Sequence, residues 1–111
     1  MIVPGCIVIV HLANPAEQHW GVLEELSAAG VTFRGINVVS FEDFLAQAAR
    51  DEQQSLGFSA MFVPMFRVER IFLDQQVGEV ESYQQRFLAR TGTSVEAYLG
   101  IDFPTGDTPP S

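Results

Sequence analysis

The chain has 111 residues, of which 47% are apolar and nine are Phe, enough for one packed core, and this composition excludes disorder for its body. The sequence has fourteen acidic residues, six Arg and no Lys, so its formal net charge is −8. The surface as a whole therefore repels phosphate backbones and anionic membranes. The single Cys6 excludes an intrachain disulfide and fits the reducing cytoplasm, where we expect the protein to reside.

The N-terminal region is apolar but does not predict export. It has no basic segment, Pro4-Gly5 interrupts the apolar run, and His11 ends it. We therefore expect neither a signal peptide nor a membrane span, and no membrane partner.

The first third of the sequence predicts a three-stranded meander. The first strand runs from Cys6 to Leu12 and is apolar on both faces, as in a strand covered from both sides. The second runs from about Gln18 to Leu26, where Gly21 marks a bulge or a close approach of another backbone. Ser27-Ala28-Ala29-Gly30 predicts a hairpin loop that ends in a residue suited to positive φ, and the third strand runs from Val31 to Val39.

After residue 40 the apolar spacing changes from a period of two to about 3.6, which predicts a helix. Ser40 is the expected N-cap, Asp43 completes an approximate capping box, and the helix is expected to end near Gln53 or Gln54. The predicted apolar stripe consists of Phe41, Phe44, Leu45, Ala48 and Ala49.

The stretch from Phe62 to Leu73 is a β-type run interrupted by Pro64, which cannot donate to a sheet ladder. We predict two short strands, Phe58 to Val63 and Arg67 to Leu73, that meet at a sharp bend. Together with the meander, this bend predicts a mainly β (α+β) fold: a small, strongly bent five-stranded antiparallel barrel with added helices, because corners of such barrels form where pairing breaks.

The C-terminal part predicts a polar loop over residues 74–79 and two helices. The first helix runs from Val80 to Arg90 and stops at Thr91-Gly92. A capping box at Thr93-Ser94-Val95-Glu96 opens a second, short helix that ends at Gly100. Residues 104–111 offer little to bury and are expected to be a disordered tail, so a single domain covers residues 1–103.

The spacing of residues in both halves of the predicted barrel resembles the Sm-like family, which includes spliceosomal Sm proteins and bacterial Hfq-type RNA chaperones. In the first half, Leu12 at a strand end, Asn14 in the turn, and Gly21 with Leu23 in the next strand look like the first Sm signature. The spacing of the second signature is kept by Val63, Pro64-Met65, Phe66-Arg67, Val68 and Ile71. The resemblance covers residues 6–74 and implies a bent barrel in which the helix from Phe41 replaces the family's variable loop.

The resemblance implies self-assembly more than RNA binding. The family holds RNA bases with an Asn after the second strand and with an Arg-Gly turn, but Gly30-Val31 and Pro64-Met65 stand at those positions here. In the family, the fourth and fifth strands of neighbouring subunits pair, which implies a homo-oligomer. An apolar edge would otherwise be an aggregation hazard. The corresponding oligomer edge consists of Met61, Phe62, Val63, Pro64, Met65, Phe66, Val68 and Ile71.

The sequence contains no evident catalytic, cofactor-binding or metal-binding motif. His11 and His19 lie on different strands without a third ligand at suitable spacing. Adjacent carboxylates at Glu24-Glu25 alternate between strand faces, and those at Glu42-Asp43 suit a helix N-terminus. We therefore expect a non-enzymatic interaction or regulatory module that has no cofactor, assembles with itself and is able to engage other proteins.

Two other functions stay open. Arg67 and Arg70 form either an ion-pair cluster with Glu69 at the sheet edge or, together with Phe66, an RNA contact, and the net negative charge disfavours RNA as the partner. An RNA-binding post-transcriptional regulator is thus the first alternative. The second is a small-ligand binder or enzyme with a pocket near His19, Trp20 and the predicted helix.

Overall fold

The structure is a computed structural model that describes residues 1–50 and 58–99. The predicted helix end near Gln53 or Gln54, the predicted end of the last helix at Gly100 and the predicted tail lie outside these residues. Within residues 1–50 and 58–99, no helix has the length and apolar character needed to cross a membrane. The strands are β1 (Ile7–Leu12), β2 (Glu17–Leu26), β3 (Gly30–Asn37), β4 (Ser59–Pro64) and β5 (Val68–Leu73). The helices are α1 (Phe41–Ala49), α2 (Tyr83–Thr91) and α3 (Val95–Leu99), and short 3-10 turns cover Val38–Ser40 and Met65–Arg67.

The strands form one antiparallel five-stranded sheet in the order β4-β3-β2-β1-β5. The meander over the first three strands and the bend after Pro64 are therefore confirmed, as is the small α+β fold. The predicted closed barrel is not: within the described residues β4 pairs with β3 and β5 pairs with β1, so the sheet is open. The cause lies at the bend, where Met65 N donates to Ala29 O at 2.9 Å and Ala13 N donates to Arg67 O at 2.8 Å. These backbone groups bond to the loops of the meander instead of joining β4 to β5.

One face of the sheet, the inner face, curls around its own core. Both edge strands contribute to this cluster, which holds Val8, Val10, Leu12, Leu23, Val31, Phe33 and Val63, with Met61, Val68, Ile71 and Leu73 packed against it. Gly21 pairs directly with Gly35. A Cβ on Gly21 would lie 2.1 Å from the carbonyl oxygen of Arg34. The close backbone approach predicted at Gly21 is therefore confirmed.

The other face, the outer face, is covered by helices. Its core consists of Ile7, Trp20, Val22, Ile36, Phe41, Phe44, Leu45, Ala48, Phe87 and Val95. Trp20 is fully buried at the centre, with its ring 5.2 Å from that of Phe41. Phe44 stacks on Phe87 of α2 at 5.6 Å. The predicted apolar stripe of α1 is confirmed except for Ala49, which is exposed at the helix end.

At the two ends of β3, Ser40 and Gly30 do not have the roles that the sequence predicts. Ser40 makes no side-chain cap bond. Asn37 caps the preceding 3-10 turn instead, since its Oδ1 accepts from Val39 N at 3.0 Å, and β3 therefore ends at Asn37. Gly30 does not have a positive φ. It is required because a Cβ there would lie 2.2 Å from the carbonyl oxygen of Val63 on β4.

The C-terminal helices form where the sequence predicts them, but their first residues and caps differ. Gly92 adopts a left-handed φ of 79° and ends α2 as predicted. The start of α2 moves from Val80 to Tyr83, because Ser82 and Gln85 form a capping box there. The predicted box at the start of α3 made Thr93 the cap, whereas in the structure Ser94 Oγ accepts from Ala97 N at 3.1 Å and the helix begins at Val95.

Candidate functional site

The first candidate surface is the outer edge of β4, which carries no charged side chain. Sheet edges are usually protected by charge, and this one has only Pro64 at its end. Phe62 on this strand is 54% exposed. Its ring tip lies 2.7 Å from the position of a Cβ on Gly30, so the missing side chain of Gly30 lets the ring lie against the backbone. Phe62 is thereby held in place with its other side facing out.

The predicted oligomer edge divides between interior and surface. Its residues Met61, Val63, Val68 and Ile71 belong to the core of the inner face. Pro64 and Met65 are half-buried. Exposed apolar side chains therefore come from Phe62 and from Phe66, which is 85% exposed. Alternation along a strand explains this division, since neighbouring side chains point to opposite faces.

Arg67 supports the bend between β4 and β5. Its Nε donates to Ala13 O at 3.0 Å and its Nη2 donates to Pro15 O at 2.7 Å. These bonds attach the turn after β1 to the Met65–Arg67 corner. Arg70, by contrast, pairs with Glu69 at 3.5 Å and lies 6.0 Å from the ring centroid of Phe72. The two guanidinium groups of the predicted patch therefore have different partners.

The second candidate surface is an outer groove beside β5, with a volume of about 410 Å³. It lies between β5, the segment 74–82 and α2. Its apolar lining includes Ile9, Phe72, Val77, Val80 and Tyr83. Val77 and Val80 are 67% and 70% exposed, and Phe72 is 44% exposed. Reciprocal backbone bonds of 3.0 and 2.9 Å hold Val77 and Val80 in a tight turn at the rim.

Asp74 builds this groove, and sequence reasoning missed it by treating it as part of a polar loop. Its carboxylate is buried, with Oδ2 accepting from Trp20 Nε1 at 3.0 Å and from Gln84 N at 2.9 Å. Oδ1 accepts from Tyr83 N at 2.8 Å. Asp74 thus ties the first turn of α2 to the core tryptophan. The sequence contains one signal for this role, since Asp74 follows the end of a strand and precedes the capping box at Ser82.

A second cleft, of about 450 Å³, lies at the opposite end of β1 and is lined by His11, Glu17, Asn37, Val39 and Glu69, among others. The ring of His11 contacts Phe72 edge-on at 5.0 Å. His19 is buried with Nε2 3.3 Å from Glu17 Oε1, and its Nδ1 has no hydrogen-bond partner among the described residues. Over those same residues, His, Cys, Asp and Glu form no group of three able to hold a metal ion.

The region around Trp20, where a ligand pocket was an alternative, is filled by aromatic rings. Phe58 and Phe44 lie 5.3 and 6.0 Å from the Trp20 ring. Neither cleft described above is lined by Trp20 or His19. Among the described residues, the space beside the Trp20 ring is therefore occupied by aromatic side chains.

No protein-family model, curated protein or solved structure matches this chain. These comparisons neither support nor exclude the Sm-like resemblance. The two sheet edges and the outer groove are therefore the features of this molecule that bear on its function.

Proposed function

We propose that this protein is a non-enzymatic, cytoplasmic, Sm-like interaction module that assembles with itself by pairing β4 of one copy with β5 of the next. The observation that carries the proposal is that the curled sheet ends in two edge strands, β4 and β5. Within the described residues, the outer edge of each strand is unpaired. An aromatic side chain is exposed on each, Phe62 on β4 and Phe72 on β5. Edges of this kind satisfy their backbone groups and cover their apolar side chains by adding a strand.

The Sm-like assignment is supported by the course of the chain. Five antiparallel strands, a tight turn between β4 and β5, and α1 inserted between β3 and β4 fit what the resemblance implies, whereas the open sheet differs from the bent barrel that it also implies. A head-to-tail contact between different edges generates a closed ring when the rotation between copies closes, and an open filament when it does not.

We expect the purified protein at micromolar concentration to be larger than a monomer in light scattering. Because each copy has a formal charge of −8, copies repel one another at low salt. Backbone pairing and apolar contact do not depend on ion pairs, so added salt should screen the repulsion and strengthen assembly. Assembly that weakens as salt rises would indicate an ionic interface, and a monomer at every salt concentration would contradict the proposal.

RNA binding has less support, because the guanidinium group of Arg67 already donates to two backbone carbonyls and the net charge opposes approach of phosphates. We expect a labelled short unpaired RNA to show no change in fluorescence anisotropy with this protein, even at low salt. Binding that falls steeply as salt increases would reverse this expectation. Loss of that binding in Arg70→Ala would then place it at β5.

A further inference from the structure

We infer that Phe62 of one copy packs into the outer groove of the next copy, so that the groove is the receptor site for the β4 edge. This inference rests on the proposed function, since it requires β4 and β5 of neighbouring copies to meet. It adds a side-chain contact that gives the pairing its direction and its register.

The strand register places both partners on the same face. Phe62 pairs with Thr32, which lies on the same side of β3 as Ile36 because side chains alternate. Ile36 pairs with Trp20, Trp20 pairs with Ile9, and Ile9 pairs with Phe72. Phe62 and Phe72 therefore both lie on the outer face. β4 and β5 run in the same direction within the sheet, because each lies antiparallel to its neighbour in the order β4-β3-β2-β1-β5. If β4 of a second copy adds parallel to β5, the outer faces of the two copies are continuous. Its Phe62 then lies on the side where the groove opens, in a strand about 4.8 Å from β5.

The shape of both surfaces fits this contact. The groove volume of about 410 Å³ admits a phenyl ring, and its rim exposes Val77, Val80 and Phe72. On the other partner, Gly30 holds the Phe62 ring against the backbone. A ring that is already held in place loses little conformational freedom when it docks.

Charge favours a neutral strand as the occupant over an anionic ligand. Arg86 lines the groove, but it pairs with Glu42 and lies 4.8 Å over the ring of Phe41. Its positive charge is therefore already compensated. The β4 segment Ser59–Pro64 has no charge and adds none to the groove. The chain itself contains an uncharged segment of this kind in β4. We therefore assign a second copy of the chain as the occupant of the groove.

A contact between two different surfaces allows a complementation experiment. Phe62→Asp damages the docking ring and leaves the groove intact, whereas Val80→Asp damages the groove rim and leaves the ring intact. Each variant alone should associate about 30-fold more weakly than wild type, or not at all, in sedimentation velocity. An equimolar mixture should form a dimer of one copy of each, because the intact ring of one meets the intact groove of the other. Val39→Asp is the matched control, since Val39 is 85% exposed and lies in the other cleft, and it should assemble like wild type.

The outcomes separate the two proposals. If wild type is a monomer, self-assembly fails and this inference fails with it. If wild type assembles and Val80→Asp assembles equally well, edge pairing stands, the groove has another occupant, and the inference is overturned. If both variants are folded by circular dichroism but their mixture stays monomeric, the inference is also overturned. Because Phe62 also packs on Gly30, Val80→Asp tests the contact without changing that packing.

Discussion

Replacing Asp74 with alanine should lower the free energy of unfolding by about 3 kcal/mol or more, because it removes the acceptor of one buried and two partly buried donors at once. The indole N–H of Trp20 and the backbone N–H groups of Tyr83 and Gln84 all donate to this carboxylate. Each donor left unsatisfied in the interior costs about 1–3 kcal/mol. Urea unfolding monitored by tryptophan fluorescence measures the loss, since the fully buried Trp20 reports directly on this site.

Asp74→Asn and Asp43→Ala are the matched controls. The asparagine keeps one acceptor oxygen and should lose roughly half as much stability as the alanine variant. Asp43 is an exposed carboxylate in the first turn of α1, and its replacement should cost less than about 1 kcal/mol. If Asp74→Ala were no more harmful than Asp43→Ala, the tie between Trp20 and α2 would not contribute to stability.

Gly21→Ala should be similarly harmful, with a loss of about 3 kcal/mol or more, which for a domain of this size is a fall of roughly 15 °C in Tm. The added Cβ would lie 2.1 Å from the carbonyl oxygen of Arg34 and 2.5 Å from the Cα of Gly35. Both are backbone atoms of β3, so β2 and β3 would have to separate at this position. Thermal unfolding followed by circular dichroism gives the measurement.

Gly78→Ala serves as the comparison for Gly21→Ala. At Gly78 a Cβ meets nothing within 4 Å, and the cost arises from a positive φ of 60°, worth about 1 kcal/mol. The difference between the two variants therefore isolates the effect of backbone contact. Equal losses in Tm would contradict the steric argument at Gly21.

These two positions also bear on assembly. The close approach of β2 and β3 at Gly21 lies in a sheet whose edge strands β4 and β5 contribute to one inner core, while their outer edges stay unpaired within the described residues. Asp74 fixes α2 and the segment after β5, and these form two walls of the outer groove. The proposed interface thus depends on two buried residues, Gly21 and Asp74, that fix the elements around it.

Much of the local structure was predictable because its causes lie close together in the chain. The bend at Pro64 follows from a missing N–H, the stop at Gly92 follows from a residue that tolerates positive φ, and the stripe from Phe41 follows from helical spacing. Each of these depends on a few neighbouring residues. The same locality explains why element boundaries were off by only a few residues.

The candidate surfaces were predicted less completely. The apolar run around Phe62 identified an edge, but half of that run proved to be interior because the sheet curls over it. Gly30 was predicted from its place in a turn. The structure instead requires glycine there because a Cβ would lie too close to the carbonyl oxygen of Val63, on a strand far along the chain. The groove was not predicted, since its wall depends on Asp74 accepting from Trp20, 54 residues away.

The amino-acid pattern alone decided where strands and helices form, since backbone preference and apolar period act between near neighbours. Folding in three dimensions decided which apolar side chains remain on the surface, that the sheet stays open, and that Asp74 is a buried anchor. These outcomes depend on how strands stack and curl, and long-range contacts of that kind leave no mark in the spacing of adjacent residues.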